Sequence, residues 1–237
     1  MRCRSTALIA ALLVAGSLST VHAQISTREQ QALLRIAKRR LFQRGEYVFR
    51  VGDVTQAAYI LLRGRLKFFR LTATGREVIL WFCFPGEIFG LTEVPSGKGR
   101  RINVQACDES EVAIVPDASF GRFLDCHADA ARMCRRTMTA RLGILANTLV
   151  NVVADDASHR VAKLVLHMGL QHGERRLDSI DLGVPLSHQE IANMAGVNRQ
   201  TVTRVLGHLS KRGILTIARR SIRIDSERML NDFIHTG

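Results

Sequence analysis

Residues 185–224 read PLSHQEIANMAGVNRQTVTRVLGHLSKRGILTIARRSIRI, and their reading decides the rest. Ser187 followed by Glu190 has capping-box spacing: a hydroxyl accepts the third backbone N–H of a helix, and a carboxylate reaches back to the cap residue. A helix therefore starts at about His188, with Ile191, Met194 and Ala195 on one apolar face. Gly196 supplies a turn at which positive φ carries no Cβ penalty. Asn198 is a good N-cap for a second helix. On it Val202, Val205, Leu206 and Leu209 fall at core spacing, while Arg199, Gln200, Thr203 and Arg204 face the other way and Gly213 ends the run. Residues 214–217 and 221–224 then alternate like a short hairpin around Arg219 and Arg220.

Helix, glycine turn, helix and hairpin is the order of a winged helix-turn-helix, whose second helix enters the DNA major groove by its N-terminal end. Arg199 is suited there to a bidentate grip on guanine O6 and N7, and Gln200 to an adenine edge, with Arg204 one turn on as a third base reader. Ser187, His188, Gln189, Thr201, Thr203 and Lys211 are placed for the phosphate backbone, and Arg219 and Arg220 for backbone contact from the wing. Residues 191–224 hold seven Lys/Arg and no Asp or Glu. A helical hairpin with a solvated basic face has the same elements, but the coincidence of capping box, turn glycine and acid-free run favours the DNA reader.

The run QEIANMAGVNRQTVTRVLGHL, residues 189–209, resembles the DNA-binding end of the Crp/Fnr family of bacterial transcription regulators. In that family the recognition helix usually begins Arg-Glu-Thr-Val and carries a second Arg one turn on. Arg199, Thr201, Val202 and Arg204 match, and Gln200 replaces the usual Glu. Since that Glu commonly accepts from a cytosine amino group, the departure bears on the preferred half-site.

Bulk composition says less than this local pattern. A formal charge of +13 and a pI near 10.7 favour a polyanionic partner, nucleic acid or acidic membrane. Yet residues 155–237 hold 12 Lys/Arg against 9 Asp/Glu, and residues 1–154 hold 22 against 12, so the excess is greater outside the DNA-reading end. Five cysteines (Cys3, Cys83, Cys107, Cys126, Cys134), odd in number and without C-x-x-C spacing, are neither a disulfide framework nor a zinc ribbon. Only Cys3 lies where iron–sulfur members of the family carry a cluster, so none is expected. Cys83 and Cys107 read as buried thiols, and Cys126 and Cys134, near a helix start, as candidates for redox activity.

Residues 1–23, MRCRSTALIAALLVAGSLSTVHA, look like a secretory signal: Arg2 and Arg4, an apolar run, then Val21-His22-Ala23 as a cleavage site. The run falls short of the roughly 20 apolar residues that span a bilayer. A DNA reader stays with the DNA, so the expectation is a misassigned start or an extra helix on a cytoplasmic protein, with no membrane partner. The alternative is an exported or envelope small-molecule-binding protein that uses only the middle of the chain.

Residues 26–38 carry a second capping box, Ser26 and Glu29, and a short amphipathic helix. From 40 to 115, short β-rich runs alternate with turn glycines, which implies a sandwich or barrel. The motifs F-x-x-G-x-x-V-F-x-x-G-D (residues 42–53) and YILLRGRLKFFR (residues 59–70) resemble the family's cyclic-nucleotide-binding β-roll. The effector cassette of cyclic-AMP-binding members reads Phe-Gly-Glu-Leu, a loop, then Arg-Ser/Thr-Ala, with the Glu on the ribose hydroxyl and the Arg on the phosphate. Here Phe89 and Gly90 match, Leu91 takes the Glu position, Glu93 follows two residues on, and Arg100 and Arg101 stand where the phosphate Arg belongs. Leu145 and Ala146 fall where a polar pair contacts the base. The expectation is an effector other than cyclic AMP, its identity unknown: an anion, another small molecule, haem, or none. No histidine occurs between residues 40 and 115, against a cupin-type metal enzyme, and no enzymatic activity is expected.

In the helix after the roll, Met138, Leu142, Leu145, Leu149 and Val152 are spaced 4, 3, 4, 3, a heptad seam suited to a dimer. Asp155, Asp156 and Ser158 then break the pattern as a hinge. The expected fold is α+β: residues 1–23 a signal-like or misassigned segment, 24–127 a β-roll (double-stranded β-helix) effector domain, 128–154 a dimerisation helix, and 155–237 a winged helix-turn-helix. The expected partners are double-stranded DNA, a second copy of the chain, an unidentified small effector and, as a further candidate, RNA polymerase. On this reading Arg199→Ala costs about 1–3 kcal/mol on the specific site and relaxes preference at one base pair, whereas Arg219→Ala weakens all sequences alike. Equal effects of both on random DNA, measured by fluorescence anisotropy, remove the base-readout assignment.

Overall fold

A computed structural model describes residues 27–91, 99–218 and 221–235, and these divide into two units, 27–141 and 142–235. The first opens with helix α1 (Thr27–Ile36) and continues through eight strands: β1 (Lys38–Phe42), β2 (Tyr47–Phe49), β3 (Ala57–Arg63), β4 (Leu66–Leu71), β5 (Glu77–Cys83), β6 (Ile88–Phe89), β7 (Asn103–Ala106) and β8 (Ser110–Pro116). They form two antiparallel four-stranded sheets, ordered β1-β8-β3-β6 and β2-β7-β4-β5. Helix α2 (Asp117–Cys126) comes next, and then the long helix α3 (Ala128–Ala154), whose first half belongs to this unit.

The strand alternation explains where the core sits. On β3, Ala57, Tyr59 and Leu61 point between the sheets, where they meet Phe42, Phe49, Phe68, Phe89 and Val112. Ala58, Ile60 and Leu62 point the opposite way, under Leu33 of α1, Phe120 and Phe123 of α2 and Met133 of α3. Both faces of this strand are covered, so it reads as a continuous apolar run rather than an alternating one. Helix α1 stops at Ile36, short of the expected residue 38, because Lys38 already pairs with Ile114 of β8. In β1 only Phe42 is buried, so its KRRLF sequence carries no strand signature. Ser26 of the second capping box and all of residues 1–23 lie outside the described residues.

The second unit holds the rest of α3, then α4 (Ala157–His172), the hairpin β9 (Glu174–Arg176) and β10 (Ser179–Asp181), α5 (His188–Ala195), α6 (Arg199–Lys211), the hairpin β11 (Leu215–Ala218) and β12 (Ser221–Ile224), and α7 (Glu227–His235). Its one antiparallel sheet runs β11-β12-β10-β9, with Ile180 paired to Ile224. The β9–β10 hairpin and α7 are additions to the expected helix-turn-helix and wing.

Turn glycines in the roll separate into two kinds. Gly64 has φ +90°, and a Cβ there would overlap the Ser110 hydroxyl and lie 2.6 Å from the Glu109 carbonyl oxygen. Gly75 has φ +77° with nothing within 4 Å. Gly75→Ala should therefore cost about 1 kcal/mol for the backbone alone, and Gly64→Ala at least about 2 kcal/mol more because β8 must move. Urea unfolding of the two variants measures the difference, and equal costs contradict the packing argument.

Candidate functional site

The first candidate site is built by local hydrogen bonding. Ser187 accepts the Glu190 N–H at 3.2 Å, and the Ser187 N–H donates to Glu190 Oε2 at 2.8 Å, completing the capping box of α5. Gly196 sits at φ 67°, ψ 30°, and the following Val197 N–H donates to the Ala192 carbonyl at 3.1 Å. Asn198 Oδ1 then accepts the Thr201 N–H at 2.7 Å and starts α6. Val202, Val205, Leu206 and Leu209 are buried on α6. Arg199, Gln200, Thr203, Arg204, His208 and Lys211 are exposed, and the first turn of α6 contains no acid. Arg199 stands beside the positive end of the helix dipole, where a cation is disfavoured unless an anion answers it.

The structure brings the three base-reading candidates, Arg199, Gln200 and Arg204, onto this one exposed face. The backbone-contact candidates differ in their present engagements. The Ser187 hydroxyl belongs to the cap, Gln189 Nε2 donates to Asn193 Oδ1 at 2.8 Å, and His188 Nδ1 shares a 2.8 Å hydrogen bond with Thr203 Oγ1. The last contact ties the first turn of α5 to the middle of α6. Thr201 is half-buried and Lys211 exposed. Arg219 and Arg220 lie outside the described residues, between β11 and β12.

The second candidate site, in the roll, is rearranged relative to expectation. Arg100 is 2 % exposed. Its Nε donates to Thr55 Oγ1 at 3.0 Å, Nη1 to the Gly90 carbonyl at 3.0 Å and Nη2 to the Ala57 carbonyl at 2.8 Å. The guanidinium lies 4.4 Å from the Phe49 ring centroid and 5.3 Å from that of Tyr59. Phe89 is fully buried and stacks on Tyr59 at 5.1 Å. Gly90 has φ +79°, and a Cβ there would lie 2.7 Å from the Tyr59 ring. Phe89, Gly90 and Arg100 therefore form one interior cluster. Leu91 packs instead on the core under the helices, and Arg101 is exposed. Glu93 lies outside the described residues.

Sequence reasoning missed Arg141. From α3 it donates to the Ile88 carbonyl at 3.0 Å and to Glu87 Oε2 at 3.3 Å, over the rings of Trp81 and Phe68. Its signal was a single arginine just before an arginine-free apolar stretch, which the heptad count passes over. The seam itself is open: Met138, Leu142, Leu149 and Val152 are exposed, by 69 % for Leu142 and 66 % for Leu149, while Leu145 is half-buried. The redox reading of Cys134 needs correction. It is buried against the roll core, and burial pushes its thiol up to about 11, so it is a neutral thiol at physiological pH. Cys83 is buried with its thiol raised for the same reason, Cys107 is half-buried, and Cys126 is exposed.

Two family models match the chain. One, described as a cyclic nucleotide-binding domain, covers residues 39–127, and the other, a Crp-like helix-turn-helix domain, covers residues 159–233. The chain belongs to the Crp/Fnr family of transcription regulators. The CRP-like cAMP-activated global transcriptional regulator of Mycobacterium tuberculosis (strain ATCC 25618 / H37Rv) is 26% identical over 189 residues, 79% of this chain and 84% of that one. The cyclic AMP receptor protein of Thermus thermophilus is 27% identical over 213 residues, 88% and 93% of the two chains. The FixK2 structure from Bradyrhizobium japonicum superposes with a TM-score of 0.74 at 22% identity, covering 85% of this regulator and 99% of that chain. The match is to a family of regulators, not of enzymes. The Crp/Fnr resemblance read at residues 189–209 and the β-roll read at residues 42–70 are therefore both right.

Arg100 yields a prediction for this regulator. Arg100→Ala leaves the Gly90 and Ala57 carbonyls without their donors and should destabilise the roll by about 3 kcal/mol. Chemical denaturation followed by Trp81 fluorescence, the chain's one tryptophan, reads this; an unchanged midpoint shows the interior bonds to be dispensable.

Proposed function

We propose that this chain is a homodimeric, sequence-specific DNA-binding regulator whose two recognition helices read successive major grooves. The observation that carries the reading is the capped α5–Gly196–α6 pair with an acid-free outward face. Arg199 grips a guanine, Gln200 an adenine edge, and Arg204 a base one turn on. Ser187, His188, Gln189, Thr201, Thr203 and Lys211 serve the phosphate backbone, as do Arg219 and Arg220 from the wing. Because the Gln189 side chain is already engaged, its backbone N–H at the α5 N-terminus is the contacting donor, and Ser187 contributes by capping that terminus. The exposed ridge of Met138, Leu142, Leu145, Leu149 and Val152 pairs with its copy in a second chain. The protein works in the cytoplasm, where its DNA is, and RNA polymerase is a partner on the promoter.

The roll is the sensor, and its effector is not cyclic AMP. Leu91 supplies no acceptor for a ribose hydroxyl, and the Arg100 guanidinium already serves the roll's own carbonyls. Both named relatives above carry cyclic AMP in their names, so the distinction is testable against them. The effector site, taken from Phe89, Gly90, Leu91, Glu93, Arg100 and Arg101, is a proposal for a different small molecule.

The deciding experiment is selection from a random duplex library with the purified full chain. The expected product is a two-fold symmetric site with half-sites about one helical turn apart, at 10–10.5 base pairs centre to centre. Added cyclic AMP should leave its affinity within about twofold, against the tenfold or greater change that a coupling of 1.4 kcal/mol or more produces. No enrichment over bulk competitor, with or without metabolite extract, overturns the regulator reading; strong cyclic-AMP dependence overturns the effector assignment alone.

A further inference from the structure

Two helix C-termini meet in the second unit. α3 ends at Ala154 just before Asp155, and α5 ends at Ala195, the residue before the Gly196 turn. Each end leaves carbonyls without intrahelical partners and carries the negative end of a helix dipole. One guanidinium serves both. Arg160 Nη1 donates to the Asp155 carbonyl at 2.9 Å, and its Nε donates to the Ala195 carbonyl at 3.0 Å. One turn further along α4, Lys163 Nζ lies 2.9 and 2.8 Å from the two carboxylate oxygens of Asp155. The start of α4 is itself fixed, because Asp156 Oδ1 accepts the Ser158 and His159 N–H groups at 2.7 and 2.9 Å.

α4 packs on α5 through apolar side chains, with Val161, Val165 and Ile191 all fully buried. The last turn of α3 has no such cover: Val152, Val153 and Ala154 are exposed, and an open pocket of about 300 Å³ lined by Ile144, Asn151, Leu164 and Met194 together with Arg160 and Lys163 lies beside it. The end of α3 is therefore joined to α4 and α5 chiefly by the directed polar bonds of Arg160 and Lys163. Ala195 is also rigidly tied to α6, since Gly196 and the Asn198 cap fix the path between the two helices. Holding the Ala195 carbonyl therefore holds the start of the recognition helix.

We propose that Arg160 is a positioning residue that sets the recognition helix at a fixed angle to the end of the long helix, and thereby makes the dimer selective for one half-site spacing. This rests on the dimeric DNA-reading function above. Arg160 touches no base in this scheme. Its loss frees the angle between reading head and dimer helix but leaves each head's own base contacts in place. A lysine is a poor replacement, because one ammonium on a flexible stem lacks the planar fork that reaches two carbonyls at once.

The test uses the full-length chain and the duplex selected above. Two probe series are titrated by anisotropy: one with a base pair added or removed at the dyad, the other with single substitutions inside a half-site. For Arg160→Ala, discrimination against the altered spacings should fall about tenfold relative to wild type, as expected for losing a charge-assisted bond. The penalty for half-site substitutions should stay within about twofold. Arg160→Lys should resemble Ala in spacing, and Arg160→Gln, which retains one donor group, should fall between and serves if the Ala variant does not fold. Hydrogen exchange should quicken at residues 195–199 and stay unchanged at Val205 and Leu209. Wild-type spacing discrimination in every folded variant overturns the brace, as does an equal loss in both probe series, which marks a general structural role. A wild-type chain that selects no sequence at all overturns the DNA-reading function, and the brace with it.

Discussion

Every helix end must find partners for backbone groups that its own ladder cannot satisfy, and residues 187–198 meet that constraint within twelve positions. Ser187 and Glu190 close one N-terminus, Gly196 turns the C-terminus, and Asn198 opens the next helix. Nothing distant is needed to fix the relative direction of α5 and α6. Tertiary contacts then need only bury one stripe of each, and the opposite stripe of α6 is left exposed. Its first turn nonetheless carries Arg199 against the helix dipole with no acid beside it in that turn, and departures of this kind concentrate at functional surfaces.

Legibility in the sequence depends on how local each signal is. The α5–α6 pair and the wing announce themselves through caps, a glycine and short alternations. The long helix is legible through its heptads, and the roll through its turn glycines. β1 is not legible, since KRRLF gains its strand identity only from the β8 edge beside it. α7 had a readable cue that went unused: Ser226 accepts the Met229 N–H at 3.2 Å as a cap, and Leu230 and Ile234 form a buried i, i+4 pair. Residues such as Arg100, Arg141 and Arg160 are the hard cases. Their acceptors include backbone carbonyls, which every residue has, so no pattern of residue types foretells the pairing.

Arg100 shows why motif position alone does not assign a role. An arginine at the end of an effector cassette is equally suited to an anion and to a set of converging carbonyls. Here the cluster of Phe49, Tyr59 and Phe89 gives the guanidinium flat apolar faces, and Thr55, Ala57 and Gly90 give it acceptors. The interior is a self-consistent polar–aromatic core. Leu91 joins the opposite core, under the helices, as an apolar side chain should.

The open ridge of α3 has a consequence for the cell. If two copies close over Leu142, Leu149 and Val152, the first of them 69 % exposed in a single chain, then pairing is a second-order reaction. At copy numbers below its dissociation constant the assembled form rises as the square of synthesis. Transcription and turnover of the gene would then be inputs to its own output, sharper than any proportional dial.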